Sequence, residues 1–405
     1  MSSKTYCRYP FREIAIKEFD GNKLREFWPC CMMGNLPSDD PVLDIPDMHL
    51  LTPQEMFDHP RMELLRQNLS NGVKDSACKV CWEQEDRGLK SFREYSNTDY
   101  GYEEDGLSVI DITASNICNL RCRMCTPTAS HQLMADYQYF EKNGLLELAE
   151  KTTKRWVKSY AIEATKSIQW DWMMNNTDTI KVIKASGGEP FYDNKVLQLL
   201  KRYVETGNAK HTTLMFHTNA TQFNDELVDI INQFKRNKHT FSIDGVDKAY
   251  EYIRYPATFE QMNESVVNYI NNVTNYDKVL NFTMVVSAHN LLNIPDYIEW
   301  VRSVTKGASI GFAEIYDVDR GIALKHLPIH ILEEAKTRIA PYILNENNLE
   351  DGKVVNLIKQ IDNAINNNKE NRQLIVDEST LFDLSRNQNY NDFLDPLLTK
   401  WMNND

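Results

Sequence analysis

No cysteine occurs after Cys125 in this chain of 405 residues; all eight lie in its first part. In a cytosolic setting that lopsided supply reads as metal ligation rather than as a disulfide framework. The opening residues, Met1-Ser-Ser-Lys-Thr-Tyr-Cys, lack an apolar run that would serve as a secretory signal, and no stretch approaches the length of a membrane span. A cytoplasmic protein with no membrane partner is the expectation. Positive charge is also short, with 45 Lys and Arg against 58 Asp and Glu and a net charge of -13. That balance argues against broad phosphate-backbone binding, so nucleic acid is not an expected partner. Internal repeats and long low-complexity linkers are missing, while the length allows two or three units with a sizeable core.

What is present is concentrated in Cys118-Asn-Leu-Arg-Cys122-Arg-Met-Cys125. Three thiolates in eight residues can address one metal centre, and no fourth cysteine is near. Iron-sulfur cubanes are usually held by four cysteines, so a tight trio suggests a cluster with one iron left open. Zinc would want a fourth Cys or His, and the nearest histidine, His131, follows Cys125 by six residues on a helix start. A disulfide within the trio would leave one thiol over.

The first hundred residues read as irregular, with one helix from Thr52-Pro53-Gln54-Glu55. Thr52 and Glu55 form a capping box and Pro53 suits the first helical position. Met56, Met62, Leu65 and Leu69 supply its apolar face, Asn71-Gly72 ends it, and the chain then reaches Cys78-Lys-Val-Cys81. From Leu107 onward short apolar strands alternate with amphipathic helices, the pattern of parallel β/α units. Strands are expected at 107–112, 180–185, 213–218, 240–243, 280–287 and 309–315. Six units suit a partial barrel better than a closed eight-stranded one. Beyond about Arg320 the pattern becomes helical. The expected division is 1–105, 106–320 and 321–405.

In parallel barrels reactive residues sit on loops after the strands. The cysteine trio follows the first expected barrel strand and Ser186-Gly187-Gly188-Glu189-Pro190 the second. Paired glycines let a backbone approach a ligand closely, although Gly-Gly-Glu-Pro alone is an ordinary turn. Together the CxxxCxxC spacing and the GGEP turn resemble the radical S-adenosylmethionine superfamily. The resemblance implies an α/β partial (β/α)6 barrel and a [4Fe-4S] cluster on Cys118, Cys122 and Cys125, whose open iron chelates S-adenosylmethionine. It assigns Gly187, Gly188, Glu189 and Pro190 to that cofactor. Phe241-Ser242-Ile243-Asp244-Gly245, with Arg254 downstream, is similar to the SxDG segment and arginine of peptide-modifying members, implying cofactor contacts from Ser242 and Arg254. Asn219, in His217-Thr218-Asn219-Ala220, resembles the family's TNG-type turn; His217 reads as a core residue. The position before the last trio cysteine is commonly aromatic in the family, and here it is Met124, whose polarizable thioether can pack on an adenine face. Asp244 is the candidate catalytic base.

Cys7, Cys30, Cys31, Cys78 and Cys81 form a second constellation. Four thiolates from separated segments suit zinc or an iron-sulfur cluster, and spacing does not choose between them. The order Cys7-Arg-Tyr-Pro-Phe, Asp20-Gly21, Pro29-Cys30-Cys31, Gly34-Asn35-Leu36 and Cys78-Lys-Val-Cys81 resembles the auxiliary-cluster domains called SPASM or twitch. By that resemblance one auxiliary [4Fe-4S] cluster sits on Cys7, Cys30, Cys78 and Cys81, with Cys31 as the alternative to Cys30. Two departures stand out: this domain precedes the barrel, and the Gly21 to Cys30 segment is longer than the usual turn.

The resulting expectation is a radical enzyme that cleaves S-adenosylmethionine reductively to a 5'-deoxyadenosyl radical and removes hydrogen from a peptide or protein side chain. It implies a reductase or a flavodoxin- or ferredoxin-type electron donor as partner. A twitch-type enzyme working on a small molecule or nucleotide is the alternative. A non-catalytic iron-sulfur or zinc protein, and a non-radical S-adenosylmethionine transferase, are rivals from other classes. Polar methyl transfer needs no cluster, so the trio argues against the transferase.

Overall fold

A computed structural model of the chain describes residues 4–17, 26–30, 50–86, 91–98, 106–153, 167–276, 279–305, 307–314, 320–342 and 351–405. It has two compact units, which interleave along the sequence. The first comprises Met1–Ser115, Ile162–Phe216 and Gln233–Asn237; the second comprises Asn116–Ala161, His217–Asn232 and Lys238–Asp405.

The described strands are β1 (Glu13–Lys17), β2 (Glu26–Trp28), β3 (Val109–Thr113), β4 (Val182–Ser186), β5 (Thr213–Thr218), β6 (Arg236–Asn237), β7 (Thr240–Ser242), β8 (Leu280–Val286) and β9 (Ala308–Glu314). In the first unit β1, β3, β4 and the start of β5 run parallel in that order, with β6 beside β5 and β2 antiparallel on β1. Side chains alternate faces along a strand, so directly paired residues form rows. One face carries Ile14, Ile16, Ile110, Ile112, Ile183, Ala185, Leu214 and Phe216, each at most 2 % exposed. Helix Asn194–Glu205 buries Val196, Leu199, Leu200 and Tyr203, the spacing of one helical face, and the Asp193 side chain caps it through the Lys195 N–H.

In the second unit the end of β5 pairs with β7 through His217 and Thr218, and β7, β8 and β9 continue parallel. β8 alternates cleanly, burying Leu280, Phe282, Met284 and Val286. Phe223, Phe241, Tyr269 and Phe282 make an aromatic core, with Phe241 5.1 Å from Tyr269 and 5.2 Å from Phe282, both edge-on. Such edge-to-face pairs add to the burial of the rings themselves. After β9 the described chain is helical: Ile329–Ile339, Asp351–Asn366, Arg372–Arg386 and Pro396–Asn403.

This is an α/β fold with mostly parallel strands, and all six expected strands are present within two residues of their expected ends. The N-terminal segment is more regular than the sequence suggested. It contributes β1 and β2, and the single helix expected from Thr52 is two, Pro53–Phe57 and Pro60–Ser70. Pro60 lacks an N–H, so it starts a helix rather than continuing one. His59 caps the second helix through the Arg61 N–H at 3.2 Å, while Thr52 and Glu55 form the expected capping box on the first. Among the described residues no helix is long and apolar enough to cross a membrane.

Candidate functional site

The trio loop leaves β3 along the chain and lies in the second unit. Cys118 and Cys122 are each 7 % exposed, gathered with Leu120 into an apolar cluster against which Met124, Cys125 and Ala257 pack. One backbone and one side-chain donor face the first sulfur: the Leu120 N–H reaches Cys118 Sγ at 3.4 Å, and Asn219 Nδ2 stands 4.0 Å from the same atom. Asn219 also donates to Asn119 Oδ1 at 2.9 Å, so the turn after β5 is tied into the cysteine loop. His131 is engaged with backbone, its Nδ1 accepting from the Cys118 N–H at 3.2 Å. The loop is fixed at several points, with Arg121 and Arg123 N–H groups donating to the carbonyls of Tyr255 and Ile253 at 2.7 and 2.9 Å, and Cys125 N–H to Cys122 O at 3.1 Å.

Burial pushes the Cys122 thiol up to about 12, opposed by the Arg254 guanidinium. It also pushes up Cys125, against the Thr126 N–H and the charges of Arg254 and Arg320. Metal capture must therefore displace protons from these thiols. Arg254 ends helix Asp247–Ile253 and grips Asp244 at 2.6 Å; the other Asp244 oxygen accepts the Val285 N–H at 2.7 Å. Burial works against the Arg254 charge, and the Asp244 carboxylate outweighs it, holding the guanidinium protonated. Ser242 ends β7, half-buried and paired with Thr283. A cavity of about 560 Å³ borders Asn119 and Leu120 and is walled by Thr221, Gln222, Asn224, Gln261, Glu264 and Asn268, a lining rich in amides.

In the first unit the Gly187-Gly188-Glu189-Pro190 turn follows β4. Gly187 has φ +114°, and a Cβ there would stand 2.8 Å from Ser115 O and 3.1 Å from Thr113 Cγ2. Gly188 N–H donates to Ser115 O at 3.0 Å, and Ser115 Oγ donates to Asp193 at 2.5 Å. The turn thus packs tightly on the segment that, three residues later in the sequence, reaches Cys118. Glu189 is 1 % exposed and its Oε1 accepts the Phe191 N–H at 3.1 Å; Pro190 is buried.

The first unit also gathers Cys7, Cys30, Cys78 and Cys81 around one narrow apolar cavity with Tyr9, Pro10, Pro29, Ala77, Val80, Phe92 and Arg93. Burial pushes Cys78 up, and the neighbouring Cys7 and Cys81 add to it. Arg93 braces the site: it pairs with Glu85 at 2.7 Å, donates to Tyr6 O at 2.7 Å and lies 5.0 Å over the Trp82 ring. Cys31, Asp20-Gly21 and Gly34-Asn35-Leu36 lie outside the described residues.

No disulfide joins any two of the seven described cysteines. Among the described residues no three His, Cys, Asp or Glu side chains stand in the geometry of a single-ion site. A cubane makes a different demand, because each thiolate binds its own iron at a separate corner and the sulfurs stand farther apart than ligands sharing one ion. Thiols are the donors that group takes, and at both places they stand in largely apolar surroundings, with Cys7, Cys81, Cys118 and Cys122 buried and Cys30, Cys78 and Cys125 half-buried.

Sequence reasoning missed the residues that hold these sites from a distance. Arg123, 1 % exposed, donates to Asp383 at 2.6 Å and to Tyr252 O at 2.8 Å, and lies 3.4 Å over the Tyr252 ring. Arg320 pairs with Glu378 at 2.7 Å. In the first unit Lys184 on β4 pairs with Glu13 on β1 at 2.6 Å and stands 4.6 Å over the Tyr9 ring. Burial pushes Glu13 up to about 7 against the Lys184 ammonium, and its Oε1 has no hydrogen-bond partner among the described residues. The one available signal was a charged residue inside an apolar strand.

Residues 112–301 match the family model described as the Radical SAM superfamily. The matched segment is just under half of the chain, and the mostly parallel α/β fold is consistent with that superfamily's partial barrel. Among solved structures it is similar to native anSMEcpe with bound AdoMet, at 18 % identity and a TM-score of 0.37, over 52 % of each chain. Streptococcus suis SuiB bound to S-adenosylmethionine matches at 13 % identity and a TM-score of 0.38, over 69 % of this chain and 62 % of that one. TYW1 with a lysine-pyruvate adduct bound matches at 15 % and 0.29, over 57 % and 71 %. The chain therefore spans about half the length of anSMEcpe and less than two thirds of SuiB. SuiB has also been solved bound to the precursor peptide SuiA, and anSMEcpe with a Kp18Cys peptide. No curated protein matches.

Proposed function

We propose that this chain is a radical SAM enzyme that carries a [4Fe-4S] cluster on Cys118, Cys122 and Cys125, a second on Cys7, Cys30, Cys78 and Cys81, and modifies a peptide or protein side chain. The observation that carries the reading is the thiol trio inside the segment that matches the superfamily, with Cys118 and Cys122 buried, Cys125 half-buried and donors from Leu120 and Asn219 at Cys118 Sγ. When bound, the cluster and S-adenosylmethionine supply a 5'-deoxyadenosyl radical able to take hydrogen from an unactivated carbon. The chain's own task is to hold ligands and keep water out.

In this reading the loop hydrogen bonds orient three thiols before iron arrives. Gly187 and Gly188 keep side chains out of the space beside their carbonyls, and Glu189 with Pro190 completes the turn for the methionyl amine. Arg254 and Ser242 serve the cofactor's carboxylate and ribose, Asn219 fixes the loop beside Cys118, and Met124 offers a thioether to adenine. Both Asp244 oxygens are engaged, so we read it as the brace of Arg254 rather than as a proton acceptor. The division 1–105, 106–320 and 321–405, a cytoplasmic setting and a flavodoxin- or ferredoxin-type donor belong to the same proposal. A small-molecule substrate remains the alternative.

Anaerobic reconstitution with iron and sulfide tests it. About eight irons per chain are expected, falling to about four in Cys122→Ala and again to about four in Cys78→Ala/Cys81→Ala. Reduced wild-type protein should release 5'-deoxyadenosine from S-adenosylmethionine, and Cys122→Ala should not. Zinc alone at the trio, or undiminished cleavage by Cys122→Ala, would sink the reading.

A further inference from the structure

Between Cys122 and Cys125 stand two carbonyls, those of Arg123 and Met124, and one side chain collects both. Arg320 Nη1 donates to Met124 O at 2.8 Å and Nη2 donates to Arg123 O. The third nitrogen, Nε, donates to Glu378 Oε1 at 2.7 Å. Arg320 is 3 % exposed and Glu378 1 %. The second carboxylate oxygen of Glu378 accepts the Ile322 N–H at 3.2 Å, so both oxygens of the acid are occupied. A planar fork with fixed donors suits this task as a lysine point charge does not.

The approach is built for closeness. A Cβ on Gly321 would meet Glu378 Oε2 at 2.6 Å and Leu374 O at 2.8 Å, so only glycine lets the Arg320 segment lie this near to helix Arg372–Arg386. Five residues along the same helix, Asp383 takes the guanidinium of Arg123, which comes out of the cysteine loop itself. The helix thus grips the loop twice, once through Arg320 and once through Arg123.

We infer that Arg320, seated on Glu378, is a positioning residue that sets the spacing of Cys122 and Cys125 for the iron-sulfur cluster, which makes helix Arg372–Arg386 part of the cofactor site. This rests on the cluster proposed above for the trio. Removing Arg320 would leave two buried carbonyls without donors and a buried carboxylate without its cation. The loop would relax toward other partners, taking Cys125 with it. Residues that orient metal ligands commonly change affinity on the order of 10–100-fold when lost.

The experiment uses the full chain, reconstituted anaerobically, in Arg320→Lys and Arg320→Met forms. The readouts are the part of the reduced EPR signal that shifts on adding S-adenosylmethionine, its midpoint potential, and the thermal unfolding of the metal-free protein. Arg320→Met is expected to lose the S-adenosylmethionine-sensitive signal on the order of 10-fold per chain. Arg320→Lys keeps the ion pair but not the fork, so it should fold and show an altered spectrum and potential. If Arg320→Met does not fold, the Lys variant decides: a wild-type spectrum and potential there overturns the inference. Wild-type signal in Arg320→Met overturns it equally. A wild-type protein with no S-adenosylmethionine-sensitive signal would instead refute the cluster at the trio, a result distinct from either variant's.

Discussion

Asp244 and Arg254 lie 2.6 Å apart with side chains 0 % and 10 % exposed, and the second Asp244 oxygen is occupied by the Val285 N–H. A buried pair of this kind gains little over apolar residues, but losing one partner strands a charge. Asp244→Ala should therefore lower unfolding stability by about 3–5 kcal/mol in urea titrations. A loss below about 1 kcal/mol would mean that water screens the pair.

Acid sensitivity follows from two buried histidines in the second unit. His239 is pushed down from 6.5 to about 3 by burial and by neighbouring His217, and burial and the Arg123 and Arg320 charges push His289 well below 6.5. Both bind a proton more readily once unfolded, so their stabilisation is complete above pH 6.5 and is lost as pH falls from there, for His239 down to about 3. Each adds up to about 1.4 kcal/mol per pH unit to the slope. Glu13, raised to about 7, acts in the opposite direction as pH rises from 4.5. His239→Phe should flatten the unfolding profile between pH 6.5 and 4; an unchanged slope would show that His239 is already charged in the fold.

Gly187→Ala puts a methyl 2.8 Å from Ser115 O at a backbone with φ +114°. Strain of about 1–3 kcal/mol is expected, with weakened S-adenosylmethionine binding by the reconstituted protein in equilibrium dialysis. Wild-type affinity together with wild-type stability would remove this turn from the cofactor assignment.

The metal-free thiols should be chemically quiet. Only the thiolate attacks an alkylating agent, and Cys122 is pushed up to about 12. Iodoacetamide at pH 8 should label it far more slowly than an unfolded cysteine, as mass spectrometry of the digested chain would show. Labelling at the unfolded rate would mean the loop opens readily without metal.

Local patterns in the sequence located the six expected strands and the first N-terminal helix, because strand runs and the Thr52 capping box each report on a few neighbouring residues. Asn219 does come to Cys118, and His131 is turned to the Cys118 N–H. Strand β1 escaped notice because it is only five residues long and its parallel partner, β3, lies far along the chain. The Arg320–Glu378 and Arg123–Asp383 pairs span 58 and 260 residues. Such distant ionic contacts leave no periodic trace, so neither was visible until the chain was folded.

Glu378 and Asp383 are made late in translation, long after Cys125 has left the ribosome. A nascent chain emerging at about 5–20 residues per second exposes its trio for tens of seconds before helix Arg372–Arg386 exists to lock the loop. A protein truncated ahead of Arg372 would be synthesised with its cysteines in place but without the two grips that hold their loop.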